Sequence, residues 1–440
     1  MTRLPRRVRR AAWPPQFIQA PETRASLRRS HRWSYVPHRG CAYYPRPLAR
    51  PHRIHHRRSR RAHAVLRADA QRGGTQPERL AGARAPDCTL RSSELTARLP
   101  FPARVIVCLT LLLATAGLRP LAAQPRVRLI ATGGTIANQA TGRLTGPELI
   151  AQTAGLTPLA RVEAETFARG PSLALTLADW IRLARRVADV LASADMAGVV
   201  ITGGTDTLEE LAWFLDLTIR SDRPVVVTGA IRRPGTVDSD GPQNILRAVQ
   251  VAVSPAARSR GTLVVFNGNV FEARDAEKVS TASPDAFGSR GSGPVGRAGE
   301  DGVVFSRDIR SRHGLQSEFD LARMAALPRV DVLLTYQDAP GDLITAAIRN
   351  GARGVVVASA GAGAIAEGEA RAVEYALARG VPVVLASRVE GGSVSTDDVT
   401  VVKGLIAARD LSPIKARVLL MLALAQGMRG PDLERVFREY

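Results

Sequence analysis

Two short words in the chain place hydroxyl groups where chemistry is possible. Leu129-Ile130-Ala131-Thr132-Gly133-Gly134-Thr135-Ile136-Ala137 and Val200-Ile201-Thr202-Gly203-Gly204-Thr205-Asp206-Thr207 each run from an apolar stretch into Thr-Gly-Gly-Thr. Glycines after a strand let the backbone turn sharply and approach a ligand. Each word then offers a threonine, Thr135 or Thr205, at the turn. A threonine hydroxyl is a poor nucleophile at neutral pH, so it needs a neighbour to take its proton and donors for the charge that develops. Asp206 stands beside the second threonine, and Lys278 lies in the charged stretch Glu272-Ala273-Arg274-Asp275-Ala276-Glu277-Lys278-Val279-Ser280. A lysine desolvated next to a threonine could assist proton removal; the same stretch also reads as a solvated loop. Either Thr-Gly-Gly-Thr alone reads equally as a turn with a capping threonine, and the repetition at two strand ends favours a site.

Other chemistries are closed off by what the body of the chain lacks. Six of the seven histidines and all three cysteines (Cys41, Cys88, Cys108) precede residue 124, leaving His313. Zinc sites, thiol nucleophiles, disulfides and Ser-His-Asp triads of the usual kind therefore drop out for the body.

The elements that must hold these residues follow from the apolar pattern. Runs at Val127 to Ala131, Val199 to Thr202, Val225 to Thr228, Leu263 to Phe266, Val332 to Thr335, Val355 to Ala358 and Val383 to Ala386 are continuously apolar and alternate with helical patterns, the mark of buried parallel strands. The spacing predicts a helix behind Thr176-x-x-Asp179, with Trp180, Leu183, Ala184, Val187 and Leu191 on one face. Thr207-x-x-Glu210 reads as a second capping box, which sets Thr205 and Asp206 at the positive end of a helix. The expected architecture is α/β: a larger doubly wound, mostly parallel first domain at 124–305, a polar connection at 306–328 and a smaller parallel α/β domain at 329–440.

Charge divides the chain in the same way. The net +21 is concentrated before residue 124, for residues 1–100 hold 23 arginines, no lysine and five acids. The body is nearly neutral, which excludes polyanion binding for it. Segment 1–100 is expected to be disordered. It reads either as a nucleic-acid-binding arm, with Trp33, Tyr35, Tyr43 and Tyr44 among the arginines, or as upstream sequence translated from a misplaced start; arginine used without any lysine favours the second. Arg98 and Arg104, the apolar run from Val105, and Leu121-Ala122-Ala123 before Gln124 make 101–123 a secretory signal peptide. It is too short for an ordinary membrane span. The mature body is expected to be periplasmic or secreted.

From about Arg126 to Tyr440 the chain resembles the bacterial-type L-asparaginases and glutaminase-asparaginases of the exported, type II-like branch. The resemblance is carried by ATGGTIA, GTDT-x-EE-x-A-x-FLDL, PVVVTGAIRRPGTVDSDGPQNI, RD-x-x-K and LSPIKARVLLMLAL in the same order. It implies hydrolysis of the side-chain amide of L-asparagine to L-aspartate and ammonia, without metal or cofactor. It further implies a homotetramer with active sites at subunit interfaces. Carried over, it makes Thr135 the nucleophile that forms an aspartyl ester, and Thr205, Asp206 and Lys278 the group that activates nucleophile or water. Asp206 and Ser172 would hold the α-amino and α-carboxylate groups of the substrate.

Three departures bear on rate and on the preference for asparagine over glutamine. The segment Asn138 to Leu149 lacks the tyrosine expected there, Gly203 stands where many members have histidine, and Ala360 to Ala366 lacks the asparagine that a neighbouring subunit would supply. Two competing functions are kept in view. Gly361-x-Gly363-x-x-Ala366 with Arg388 resembles an NADP-binding fingerprint, and the same fold could serve as an amidotransferase subunit acting on charged tRNA.

Overall fold

The computed structural model describes residues 124–395 and 402–440. The arginine-rich segment and the expected signal peptide lie outside the described residues. The first part runs β1 (Arg126–Ala131), the small hairpin β2 (Asn138–Gln139) and β3 (Gly142–Arg143), α1 (Gly146–Ala151), β4 (Arg161–Thr166), α2 (Leu177–Leu191), β5 (Met196–Thr202), α3 (Leu208–Thr218), β6 (Val225–Thr228), α4 (Gly241–Val253), β7 (Thr262–Phe266), β8 (Asn269–Glu272), β9 (Ala276–Lys278), β10 (Phe287–Ser289), β11 (Gly296–Gly299) and β12 (Gly302–Phe305). It forms one eight-stranded sheet in the order β12-β11-β8-β7-β6-β5-β1-β4, with β9 and β10 as a separate hairpin. The strands from β4 to β7 are parallel, and β8, β11 and β12 extend the sheet antiparallel.

The chain then crosses through two single turns, Gly314–Gln316 and Leu321–Arg323, to a second unit. There β13 (Val330–Leu334), α5 (Asp342–Arg349), β14 (Gly354–Ser359), α6 (Glu367–Leu377), β15 (Val383–Ser387), β16 (Ile406–Ala407), α7 (Pro413–Ala425) and α8 (Pro431–Glu439) follow. The four strands are parallel in sequence order. The α/β class and the two unequal sheets are as the apolar rhythm predicts.

Local chemistry accounts for the main elements. Strands β6, β7, β14 and β15 are buried at every position, which is why their runs are unbroken rather than alternating. Helix α2 starts on the predicted box: Thr176 N donates to Asp179 Oδ2 at 2.9 Å and Asp179 N to Thr176 Oγ1 at 3.2 Å. Trp180, Leu183, Ala184, Val187 and Leu191 are buried on its inner face. Asn267 (φ 46°) and Gly268 (φ 73°) make the tight turn between β7 and β8. One apolar core is shared by both units: α2 and α3 contribute Trp180, Trp213 and Phe214, while α7 contributes Val418, Leu419 and Leu422. Phe214 and Trp180 pack with ring centroids 5.4 Å apart and ring planes tilted by 40°.

Charge inside this core is arranged around α3. Asp216 is buried and accepts from Thr262 N at 2.6 Å; burial pushes its carboxyl up to about 7, opposed by the nearby His313. His313 stands between two carbonyl oxygens, Ser311 O at 2.6 Å from Nδ1 and Ser259 O at 3.0 Å from Nε2.

Candidate active site

Strand β1 is the place where the winding of the large sheet changes direction, since its neighbours β4 and β5 lie on opposite sides. Ligand crevices in open α/β sheets form beyond the carboxyl ends at such a point. Both Thr-Gly-Gly-Thr words lie there. Thr132 N donates to Thr202 O at 2.8 Å, and Gly134 N to Gly170 O at 3.0 Å, which ties the first loop to the second and to the segment leading into Ser172. Glycine is required by contact as much as by conformation. Gly133 and Gly134 have φ of 92° and 83°. A Cβ on Gly134 would lie 2.3 Å from Gly204 Cα, and one on Gly204 would lie 2.7 Å from Ser172 Cβ. The three loops are thus packed closely against one another, which gathers the segments bearing Thr135, Thr205 and Ser172 beyond the carboxyl ends of β1 and β5. Thr135 opens a single turn, Thr135–Ala137, and is half-buried; Thr205 and Ser172 are buried; Asp206 is open to solvent.

Lys278 completes the group from β9. Its Nζ donates to Thr205 Oγ1 at 3.0 Å and to Asp206 Oδ1 at 2.5 Å. The stretch from Glu272 to Ser280 is therefore no solvated loop. Nor is Lys278 fully enclosed, because its side chain keeps 16% exposure. Its backbone N–H donates to Glu209 Oε2 at 2.8 Å, so the first turn of α3 holds β9 in place. A threonine hydroxyl, an ammonium and a carboxylate in contact make a path along which one proton can be handed on.

Two sequence readings need correction. Helix α3 does begin after Thr207, but the Thr207 side chain makes no capping bond. Glu210, the acid that would close the box, is drawn off to Arg417 at 3.1 Å, while its neighbour Glu209 accepts from Lys278 N. The positive end of α3 therefore carries no side-chain cap. The NADP fingerprint also fails. Ala366 N donates to Glu369 Oε2 at 2.9 Å and Thr335 Oγ1 to Glu369 Oε1 at 3.3 Å, and Glu369 is buried. A carboxylate fixed at the start of α6 occupies the ground where a pyrophosphate would need free N–H groups.

The segment without the expected tyrosine folds as the β2–β3 hairpin followed by α1, whose capping box pairs Thr145 with Glu148. Arg143 of this hairpin reaches Gly134 O at 3.5 Å. Sequence reasoning missed Glu209 and Lys415. The signal for Lys415 is a lysine in the first turn of the largely apolar helix Pro413–Ala425; it is fully buried.

Comparison with known proteins gives a consistent family. Family models described as Asparaginase, N-terminal and Glutaminase/Asparaginase C-terminal domain match residues 126–310 and 329–437. L-asparaginase 2 of Bacillus subtilis (strain 168) is 36% identical over 326 residues, covering 72% of this chain and 87% of that protein. A protein named Probable L-asparaginase periplasmic, of Haemophilus influenzae, is 34% identical over 327 residues, covering 72% and 93%. Among solved structures, the probable cytoplasmic L-asparaginase from Campylobacter jejuni superposes with a TM-score of 0.69 at 36% identity, over 72% of this chain and 100% of that one.

Proposed function

The chain belongs to the asparaginase family along both of its sheets, and from that premise we propose how its cleft works. The protein is an amidohydrolase that converts L-asparagine to L-aspartate and ammonia. In our reading Thr135 Oγ attacks the side-chain amide carbon, ammonia leaves, and water then releases the aspartyl ester. The observation that carries this reading is the contact of Lys278 Nζ with both Thr205 Oγ1 and Asp206 Oδ1, set beside a second threonine at the same sheet edge. That trio passes the proton taken from nucleophile or water. The uncapped end of α3 offers backbone N–H groups to an anionic group of the substrate or the transition state. Exposed Asp206 suits the α-ammonium, and buried Ser172 the α-carboxylate.

No metal or cofactor enters this scheme. Ammonia release from L-asparagine by the purified protein, undiminished by chelator, is the expected result. Loss of activity with chelator, or no release from L-asparagine, L-glutamine or small amides at millimolar concentration, would sink it. The relatives reported above are named as asparaginases, and the amidotransferase alternative is dropped.

Three finer points belong to the same proposal. The working unit is a homotetramer with each cleft at a subunit interface; exposed Leu334 at the end of β13, Tyr336 just after it and Leu343 on α5 supply apolar surface for a second copy to cover. The domain boundaries are 124–305 and 329–440, with 306–328 connecting. The mature protein is periplasmic or secreted after cleavage near Gln124. The periplasmic Haemophilus relative supports export, whereas the Campylobacter structure is of a protein called cytoplasmic.

A further inference from the structure

The relay depends on two segments that are far apart in sequence. Thr205 and Asp206 precede α3, whereas Lys278 sits on β9 beyond Ala273. Neither segment is continuous with the other in the large sheet, since β9 pairs only with β10 among the described residues. One direct tie joins them, Lys278 N donating to Glu209 Oε2 at 2.8 Å, and a second brace comes from outside both segments.

Lys415 stands at that junction. It comes from α7, the helix that packs on the small sheet, and its side chain is fully buried. Its Nζ donates to Glu209 O at 2.8 Å and to Ala273 O at 2.6 Å. The first carbonyl lies three residues after Asp206, and the second lies five residues before Lys278. A burial this deep costs an ammonium much of its hydration, and it is offset here by the two carbonyls and by Glu209, Glu277 and Asp275 around it; the balance brings the lysine down to about 8. Two arginines brace the same seam. Arg274 pairs with Asp410 at 2.7 Å just ahead of α7, and Arg290 donates to Val389 O at 2.9 Å beyond β15.

We propose that Lys415 is the positioning residue of the relay, a staple from the second unit that sets the distance between the Thr205-Asp206 loop and the strand bearing Lys278. It touches no reacting atom, and it acts through Lys278. The proposal rests on the amidase reading given above.

A double-mutant cycle on the full-length protein tests it. Lys415→Met should lower kcat for L-asparagine by about 100-fold, the scale of a misplacement near 1 Å, with KM changed far less. In a Lys278→Met background the same change should cost almost nothing more, because the partner it positions is already gone. Losses that multiply fully, or a kcat for Lys415→Met equal to wild type, would overturn the proposal. Should Lys415→Met fail to fold, Lys415→Arg takes its place in the cycle, since it keeps the charge that the surrounding acids require. A crystal structure of the variant decides the matter independently of turnover. The contact between Lys278 Nζ and Thr205 Oγ1 should be broken, and an intact contact would overturn the proposal even if the wild-type protein releases no ammonia. That last result alone would instead refute the amidase reading.

Discussion

Thr135 and Thr205 differ in what surrounds their hydroxyls, and their removal should fail in different ways. Thr205 is buried with Lys278 at 3.0 Å, a setting for passing a proton, whereas Thr135 sits half-buried on a turn at the cleft. Thr135→Ala and Thr205→Ala should each lose on the order of 10³-fold or more in kcat with unchanged circular dichroism. Rapid quench with mass spectrometry should find the acyl group on Thr135; an acyl group on Thr205 would reverse the roles. Thr205→Ala/Lys278→Met should be little slower than Thr205→Ala, because the two act as one unit. The two threonines stand out in sequence because the same glycine word recurs at two strand ends, although either word alone reads equally as a turn. Glu209 and Lys415 do not stand out in this way: one accepts from a backbone N–H and the other donates to two carbonyls, and the only mark in residue types is a lysine in a largely apolar helix.

The glycine contacts hold whole loops and strands together as well as single side chains. Gly134→Ala would set a Cβ 2.3 Å from Gly204 Cα at a φ of 83°, so it should destabilise by about 1–3 kcal/mol and push the two loops apart. Urea unfolding and turnover should both record it. Helix α3 carries a pH signature as well. The Asp216 carboxyl titrates near 7 in the folded chain against 3.8 without burial, so between those values the native state holds a proton that the unfolded chain has released. Stability from this group is present in acid and is lost as pH rises through about 7. Asp216→Asn should flatten that decline, measured as denaturation midpoints at about pH 4.5 and about pH 8; equal slopes for both proteins would rule it out. The buried parallel strands were readable because burial on both faces makes their runs unbroken. β4, with Arg161, Glu163 and Glu165 at the sheet edge, was not, because an edge strand can keep charge on its side chains. The β7–β8 hairpin was signalled by Asn267-Gly268 and overlooked. The Thr207 box failed because a tertiary ion pair with Arg417 holds Glu210 away from the helix start.

At the scale of the molecule, the export reading makes its own prediction. Protein taken from its native host should begin near Gln124, by intact mass and N-terminal peptides; recovery of peptides from residues 1–94 would contradict cleavage and revive the nucleic-acid arm. The shared core has a further consequence, and it concerns time. Thr135, Ser172, Thr205, Lys278 and Lys415 come together only after the first strand has paired, the hairpin beyond β8 has closed and α7 has packed against α3. Contacts so distant in sequence form late, because loop-closure entropy must be overcome before they reward the chain. In refolding, the return of ammonia release should therefore trail the return of helix signal, and follow the slowest phase. A chain still in transit across a membrane would then be catalytically silent, and the amide pool of the compartment that made it would pass untouched.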